Sequence, residues 1–349
     1  MASPASDADT RPKWRLHLSA AVAATALAAL AVAAPAYGSG KVNGIRAAVN
    51  HGTLNVTGSD GGQQVVLRLN GAGNQIQVDA ADNGSADFSF ASRDVAAINV
   101  KMGDGNDSVR IDDSNGALTG DSRPTTIAGG DGNDSLQGAQ NPPAGPAADQ
   151  VETYRGGDGN DSIDGGRGND TAYLGSGNDT FRWDPGEGSD VIEGQDGTDT
   201  MLFNGAAGTD NVTLSANGGR LTFFRVQGAI TMDTDDVEVV DFNALAGADT
   251  VLVNDLAGTD VSQTNVDLAA ALGGNAPDGA LDSVDVNGTN GVDNINVQGN
   301  GSGADVTGLA TAVSVKHADP TDHLNVHTLA GADNVVTSGV GGLIQLLVD

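Results

Sequence analysis

Asp161, Asp170 and Asp179 stand nine residues apart, and Asp190 and Asp199 repeat that interval after a single break of eleven. Each closes a glycine-rich run: Gly156-Gly157-Asp158-Gly159-Asn160-Asp161, then Gly165-Gly166-Arg167-Gly168-Asn169-Asp170, then Leu174-Gly175-Ser176-Gly177-Asn178-Asp179. Glycines at this density permit a tight turn that brings main-chain carbonyls inward. The aspartate adds a carboxylate, and an all-oxygen donor set is what a hard cation, calcium above all, prefers. Two further copies end at Asp107 and Asp134, and the intervals from Asp107 to Asp134 and from Asp134 to Asp161 are 27 residues, three units each. The residues that follow each aspartate are short, β-branched or apolar, which suits a brief strand. A fixed period of nine predicts a solenoid of short strands joined by ligand-bearing turns.

The pattern in these runs, G-G-x-G-x-D-x-U-x with U a large apolar residue, resembles the hemolysin-type (RTX) calcium-binding nonapeptide repeat of secreted bacterial proteins. The resemblance implies an all-β fold, a parallel β-roll or β-helix solenoid with two units per coil. It also implies calcium (Ca2+) between adjacent turn loops, held by loop carbonyls and by the sixth-place aspartates. Carried over residue by residue, those aspartates are Asp107, Asp134, Asp161, Asp170, Asp179, Asp190 and Asp199. The matching loop residues are Gly156, Gly157, Asp158, Gly159, Gly165, Gly166, Gly168, Gly175 and Gly177. Some copies depart from the pattern: Arg167 and Ser176 hold the third place, and Leu174 replaces a first glycine. Pro185 and Glu187 disturb the loop before Asp190, where Trp183-Asp184-Pro185 marks a two-residue insertion, so Asp190 is the poorest match.

The composition supports the same chemistry. Of 46 acidic residues 42 are Asp and 4 are Glu, a skew toward the short carboxylate that loops need and that solubility alone does not demand. At a formal charge of -30 the acidic loops repel one another until a cation relieves them, so folding and binding are expected to be one event. With 3% aromatic residues and no cysteine, neither a dense aromatic core nor disulfides can be the main staple. Nucleic acid is excluded as a partner, because an acidic chain without a basic stripe gains nothing from counterion release. The glycine runs have neither G-x-G-x-x-G spacing nor a Walker lysine, and no acidic run has EF-hand spacing. No H-E-x-x-H or G-x-S-x-G occurs, which predicts a chain that is not an enzyme. His317, His323 and His327 fall within eleven residues, but solvent-exposed solenoid positions explain them more simply than a transition-metal site.

Arg11, Lys13 and Arg15 precede an apolar, alanine-rich stretch from Leu16 to Ala34 and the small-residue site Ala34-Pro35-Ala36, so residues 1–38 read as a secretory signal peptide. The stretch is too alanine-rich, and too interrupted by His17, Ser19 and Thr25, for a retained anchor; no stable membrane span is expected after cleavage. Three further regions are expected. Residues 39–102 form short strands and 103–205 the calcium-binding roll, with a Pro/Ala/Gly loop at 140–148. Residues 206–349 form a degenerate solenoid with a fainter turn signature at Gly208-Thr209-Asp210, Gly247-Ala248-Asp249, Gly291-Val292-Asp293 and Gly331-Ala332-Asp333. These aspartates read as turn-stabilising rather than ligating, and Asn211, Asn294 and Asn334 as a stacked ladder. The expectation is a secreted or cell-surface, non-enzymatic calcium-binding module whose partner is an extracellular polysaccharide or cell-surface component. The alternative is a calcium-dependent carbohydrate-active enzyme or adhesin on acidic polysaccharide.

Overall fold

The computed structural model describes residues 40–118, 123–140 and 151–349; the expected leader at 1–38 and nearly all of the loop at 140–148 lie outside them. Alternation of apolar and polar residues produces the strands. Glu152–Asp158 buries Tyr154, Thr171–Gly177 buries Ala172 and Leu174, and Thr180–Trp183 buries Phe181 and Trp183, while the intervening side chains face outward. Among the described residues there are 28 strands, in two 14-stranded sheets, and one 3-10 turn at Ser92–Asp94. The chain passes from one sheet to the other and back. Strand Glu152–Asp158 therefore lies parallel to Thr171–Gly177, with Tyr154 opposite Ala172, and Ser162–Asp164 parallel to Thr180–Trp183, with Ile163 opposite Phe181. Inward side chains of both sheets form one core, and burying a residue such as Phe181 stabilises by roughly 1.5–3 kcal/mol. Among the described residues no helix is long and apolar enough to cross a membrane.

The all-β parallel roll is present, with two departures from the sequence reading. First, the spacing of 27 does not represent three units that alternate between edges. Asp107, Asp134 and Asp161 stack directly on one edge, because the strands they precede, Ser108–Asp112, Ser135–Gln137 and Ser162–Asp164, are immediate neighbours. Each interval is thus one coil with a longer return. Second, antiparallel meanders interrupt the parallel stacking at residues 64–91, 211–235 and 294–316. The middle one begins with a two-residue hairpin, Asn217 pairing Arg220 around Gly218-Gly219, a turn whose twist suits antiparallel strands. Its strands are successive neighbours within one sheet, and the scarce aromatic residues gather there: Trp183 stacks on Phe203 at 4.0 Å between centroids, and Phe203 contacts Phe223 at 4.4 Å.

Candidate metal centre

The sixth-place aspartates all occupy turns between the two sheets. Asp107, Asp134, Asp161, Asp179 and Asp199 line one edge; Asp170 and Asp190 line the opposite edge. Each carboxylate divides its labour. Oδ1 accepts a hydrogen bond from the main chain of the neighbouring coil: Asp107 N–H donates to Asp134 at 2.8 Å, Asp134 to Asp161 at 2.8 Å, Asp161 to Asp179 at 2.7 Å and Asp179 to Asp199 at 2.9 Å. On the other edge Asp170 N–H donates to Asp190 at 2.8 Å. Oδ2 of all seven is buried and has no hydrogen-bond partner. Each of these side chains is 3% exposed or less. One orphaned buried carboxylate oxygen is costly; five along one edge and two along the other, each in a glycine turn, are a donor set that fits a hard divalent cation.

The glycines make the room. A methyl group at Gly129 or Gly156 would overlap Oδ2 of Asp134 or Asp161, and one at Gly165 or Gly194 would come within 2.9 or 2.7 Å of Oδ2 of Asp170 or Asp199. Gly157 and Gly159 have φ of +130° and +129°, and a side chain there would also strike the carbonyls of Gly130 and Gly132 in the next coil. The second place keeps its left-handed backbone even in Gln195, at φ +75°. Leu174, which replaces a first glycine, points its side chain into the core instead of the turn. The third-place side chain of Asp158 lies at the surface and accepts a bond from Ser176 Oγ at 2.8 Å. Its carbonyl accepts from Gly132 N–H at 2.6 Å, so this position first of all staples coils together. Asp190, the poorest match by sequence, has the same paired Oδ1 and orphaned Oδ2 as the others.

Burial, joined by mutual repulsion, pushes these carboxyls upward. Asp161 rises to about 7 through burial, with Asp134, Asp179 and Asp158 adding to the rise and the Asp134 N–H opposing it. Asp199 and Asp190 also rise to about 7 and Asp134 to about 6, burial leading in each. Asp170 is held well above its ordinary value by burial and by Glu152 and Asp190. A bound cation reverses this preference by favouring the ionised carboxylate.

The model of the RTX calcium-binding nonapeptide repeat (4 copies) matches residues 119–140, 148–181 and 186–212. Those residues carry RTX calcium-binding nonapeptide repeats. RTX repeats bind calcium ions, and six of the seven aspartates lie inside the matched residues. Asp107 lies outside them yet occupies the same hydrogen-bonded row. No curated protein and no solved structure matches the chain.

Past Asp199 the turn aspartates behave differently, Asp210 among them although it still lies within the matched residues. Oδ2 of Asp210 accepts from Ala206 N–H at 2.7 Å, that of Asp293 from Thr289 N–H at 2.8 Å, and that of Asp322 from Asp319 N–H at 2.6 Å. For Asp210 and Asp293 these are the turn-stabilising roles expected; Asp322 joins them without having been expected. Asp249 departs from the expectation: it is 1% exposed, its Oδ1 accepts from Asp210 N–H at 2.7 Å and its Oδ2 has no partner, as in an RTX turn. Four residues earlier, Leu245 has φ +68°, reproducing the left-handed second place without a glycine to announce it. Of the asparagines expected to stack, Asn294 and Asn334 are register partners on neighbouring parallel strands, while Asn211 stands opposite Thr250. A hydrogen-bonded ladder is formed by fifth-place residues, with Asn133 N–H donating to Asn106 Oδ1, Asn160 to Asn133 and Asn178 to Asn160, each at 2.9 Å. Asn211 N–H bonds Gln227 instead. The three histidines do not converge on a metal: His317 bonds Asp267, His327 bonds Asp349 and Asp285, and among the described residues no metal-capable cluster includes a histidine.

Proposed function

We propose that this chain is an exported, non-enzymatic calcium-binding module of the extracellular space or cell surface, whose RTX turns complete their fold when calcium arrives. The observation that carries the reading is the row of buried, unpartnered Oδ2 atoms on Asp107, Asp134, Asp161, Asp170, Asp179, Asp190 and Asp199. With them we assign the loop backbone of Gly156, Gly157, Asp158, Gly159, Gly165, Gly166, Gly168, Gly175 and Gly177 as the remaining oxygen donors and their frame. Calcium supplies positive charge between apposed acidic turns; the chain supplies aligned carboxylates that staple the preceding coil through Oδ1. The leader-like residues 1–38 support export, which carries such turns from a calcium-poor to a calcium-rich compartment. A calcium titration followed by far-ultraviolet circular dichroism, with chelator reversal, tests this. A cooperative, reversible gain of β signal is expected in calcium but not in magnesium, which keeps its waters and demands a tight octahedron. A signal indifferent to both ions would sink the reading.

One observation favours the alternative, a carbohydrate-active enzyme or adhesin on acidic polysaccharide. An outer-face groove of about 300 Å³ is lined by Asp241, Asn243, Asn265, Asp267 and Lys316. It places two carboxylates and a cation across adjacent coils, with His317 on Asp267 at 2.7 Å. Product release from uronic-acid polymers, lost in Lys316→Ala, would favour it over the binding module.

A further inference from the structure

We propose that the turn carrying the two-residue insertion holds a second kind of cation site, built from side chains: Asp164, Asp184 and Glu187 together take one calcium ion. Asp164 ends strand Ser162–Asp164, Asp184 follows strand Thr180–Trp183 in the next coil, and Glu187 belongs to the turn after it. One carboxylate oxygen from each lies within 4.8 Å of the other two. Oxygens that share a calcium at about 2.3–2.6 Å are separated by no more than about 5 Å.

Glu187 distinguishes this cluster from an ordinary group of surface carboxylates. It is 8% exposed, its Oε2 accepts from Asp184 N–H at 2.7 Å, and its Oε1 is buried without any partner. In the regular unit the same third place, Asp158, turns its side chain to the surface. Here the side chain lies buried among the turn carboxylates.

The surroundings fix the two aspartates and leave the glutamate unsatisfied. Arg182 bridges Asp164 and Asp184, reaching the latter at 3.3 Å. Gln140 Nε2 donates to Asp164 at 2.8 Å and Asn204 Nδ2 to Asp184 at 2.6 Å. Three carboxylates against one guanidinium leave two negative charges, which one divalent ion balances. The Asp184 side chain is 30% exposed and opens the cluster to solvent. Asp170 and Asp190 are not members of this cluster, so its ion is distinct from the one their own turns take.

Trp183 makes the site readable. Its Nε1–H donates to Gly188 O at 2.8 Å, which holds the indole against this turn. The test uses the full chain, with calcium stoichiometry from equilibrium dialysis and terbium emission excited through tryptophan. Glu187→Gln keeps the size of the side chain and an acceptor for Asp184 N–H. It is expected to lose one ion and most of the sensitised emission while circular dichroism in calcium stays native. Asp190→Ala is expected to lose one ion, and the double variant two. Unchanged stoichiometry in Glu187→Gln, or a double variant that loses only one ion, overturns the proposal. Should Glu187→Gln fail to fold, Asp184→Asn gives the same reading, because Asp184 approaches from solvent. If Asp190→Ala loses nothing while Glu187→Gln still loses one, the RTX turn assignment fails and this site stands.

Discussion

The turns up to Asp199 and the later turns at Asp210 and Asp293 share a fold and an aspartate, yet they treat that aspartate in opposite ways. In Asp134 or Asp161 one oxygen is bonded and the other is buried without a partner. In Asp210 and Asp293 the second oxygen accepts the N–H of the residue four positions earlier, Ala206 or Thr289. The difference lies in the backbone of that earlier residue. Gly130 and Gly157 are left-handed, at φ +127° and +130°, whereas Ala206 and Thr289 are not. With a left-handed second place Oδ2 does not receive that N–H and stays available to a cation; an ordinary second place closes the turn on itself. The same Gly-x-Asp text therefore yields a ligand in one region and a self-contained turn in the other.

The largest expected effect comes from withdrawing calcium. In chelator, amide hydrogen exchange in residues 103–205 is expected to approach that of an unfolded chain, while strands within 283–349 stay protected. Equal loss in both regions would erase the comparison. Next, Asp161→Ala, Asp170→Ala and Asp179→Ala together are expected to lower calcium stoichiometry and raise the calcium midpoint by roughly ten- to a hundredfold. Asp210→Ala with Asp293→Ala should leave stoichiometry unchanged, and Asp249→Ala should remove one ion, since its turn has the RTX-like bonded Oδ1 and unpartnered Oδ2.

A smaller effect concerns pH. The carboxyls of Asp161 and Asp199 rise from 3.8 to about 7 and that of Asp134 to about 6, burial being the chief cause. The folded, calcium-free state thus holds protons that the unfolded state releases near pH 4. Its stability is fullest below 3.8 and falls as pH climbs toward about 7, after which no further loss occurs. Calcium affinity moves the other way, rising over the same interval as protons cease to compete. Denaturant titrations in chelator at pH 5 and 8 check the first statement; higher stability at pH 8 would contradict it. The smallest effect is at Gln195, exposed and left-handed at φ +75°. Gln195→Gly is expected to stabilise the calcium-loaded chain by about 0.5–1 kcal/mol, read as a rise in melting temperature.

Much of this was legible because a nine-residue period constrains both the strand and the turn. The parallel roll, the two edges and the burial of Ile163, Phe181 and Ile192 all follow from it. Three features were not legible, each because it depends on non-local pairing or on backbone conformation. The stacking of Asp107 on Asp134 rests on which strands become neighbours, and a spacing of 27 does not specify that. The meanders at 211–235 and 294–316 read in one dimension like the parallel strands around them. Asp249 was grouped with Asp210 because Leu245 gives no sign of a left-handed backbone.

The bond from each aspartate to the coil beside it has a mechanical consequence. Because Asp134, Asp161, Asp179 and Asp199 each grip the main-chain N–H of the aspartate one rung before, loading is communicated only between adjacent rungs. Such an array behaves as a zipper: it closes fastest from a rung already formed, frays from whichever end lacks a neighbour, and splits into two shorter zippers when one central rung is cut. A chain threaded outward through a membrane pore would then shut rung by rung as it emerged, each closure hindering its slide back.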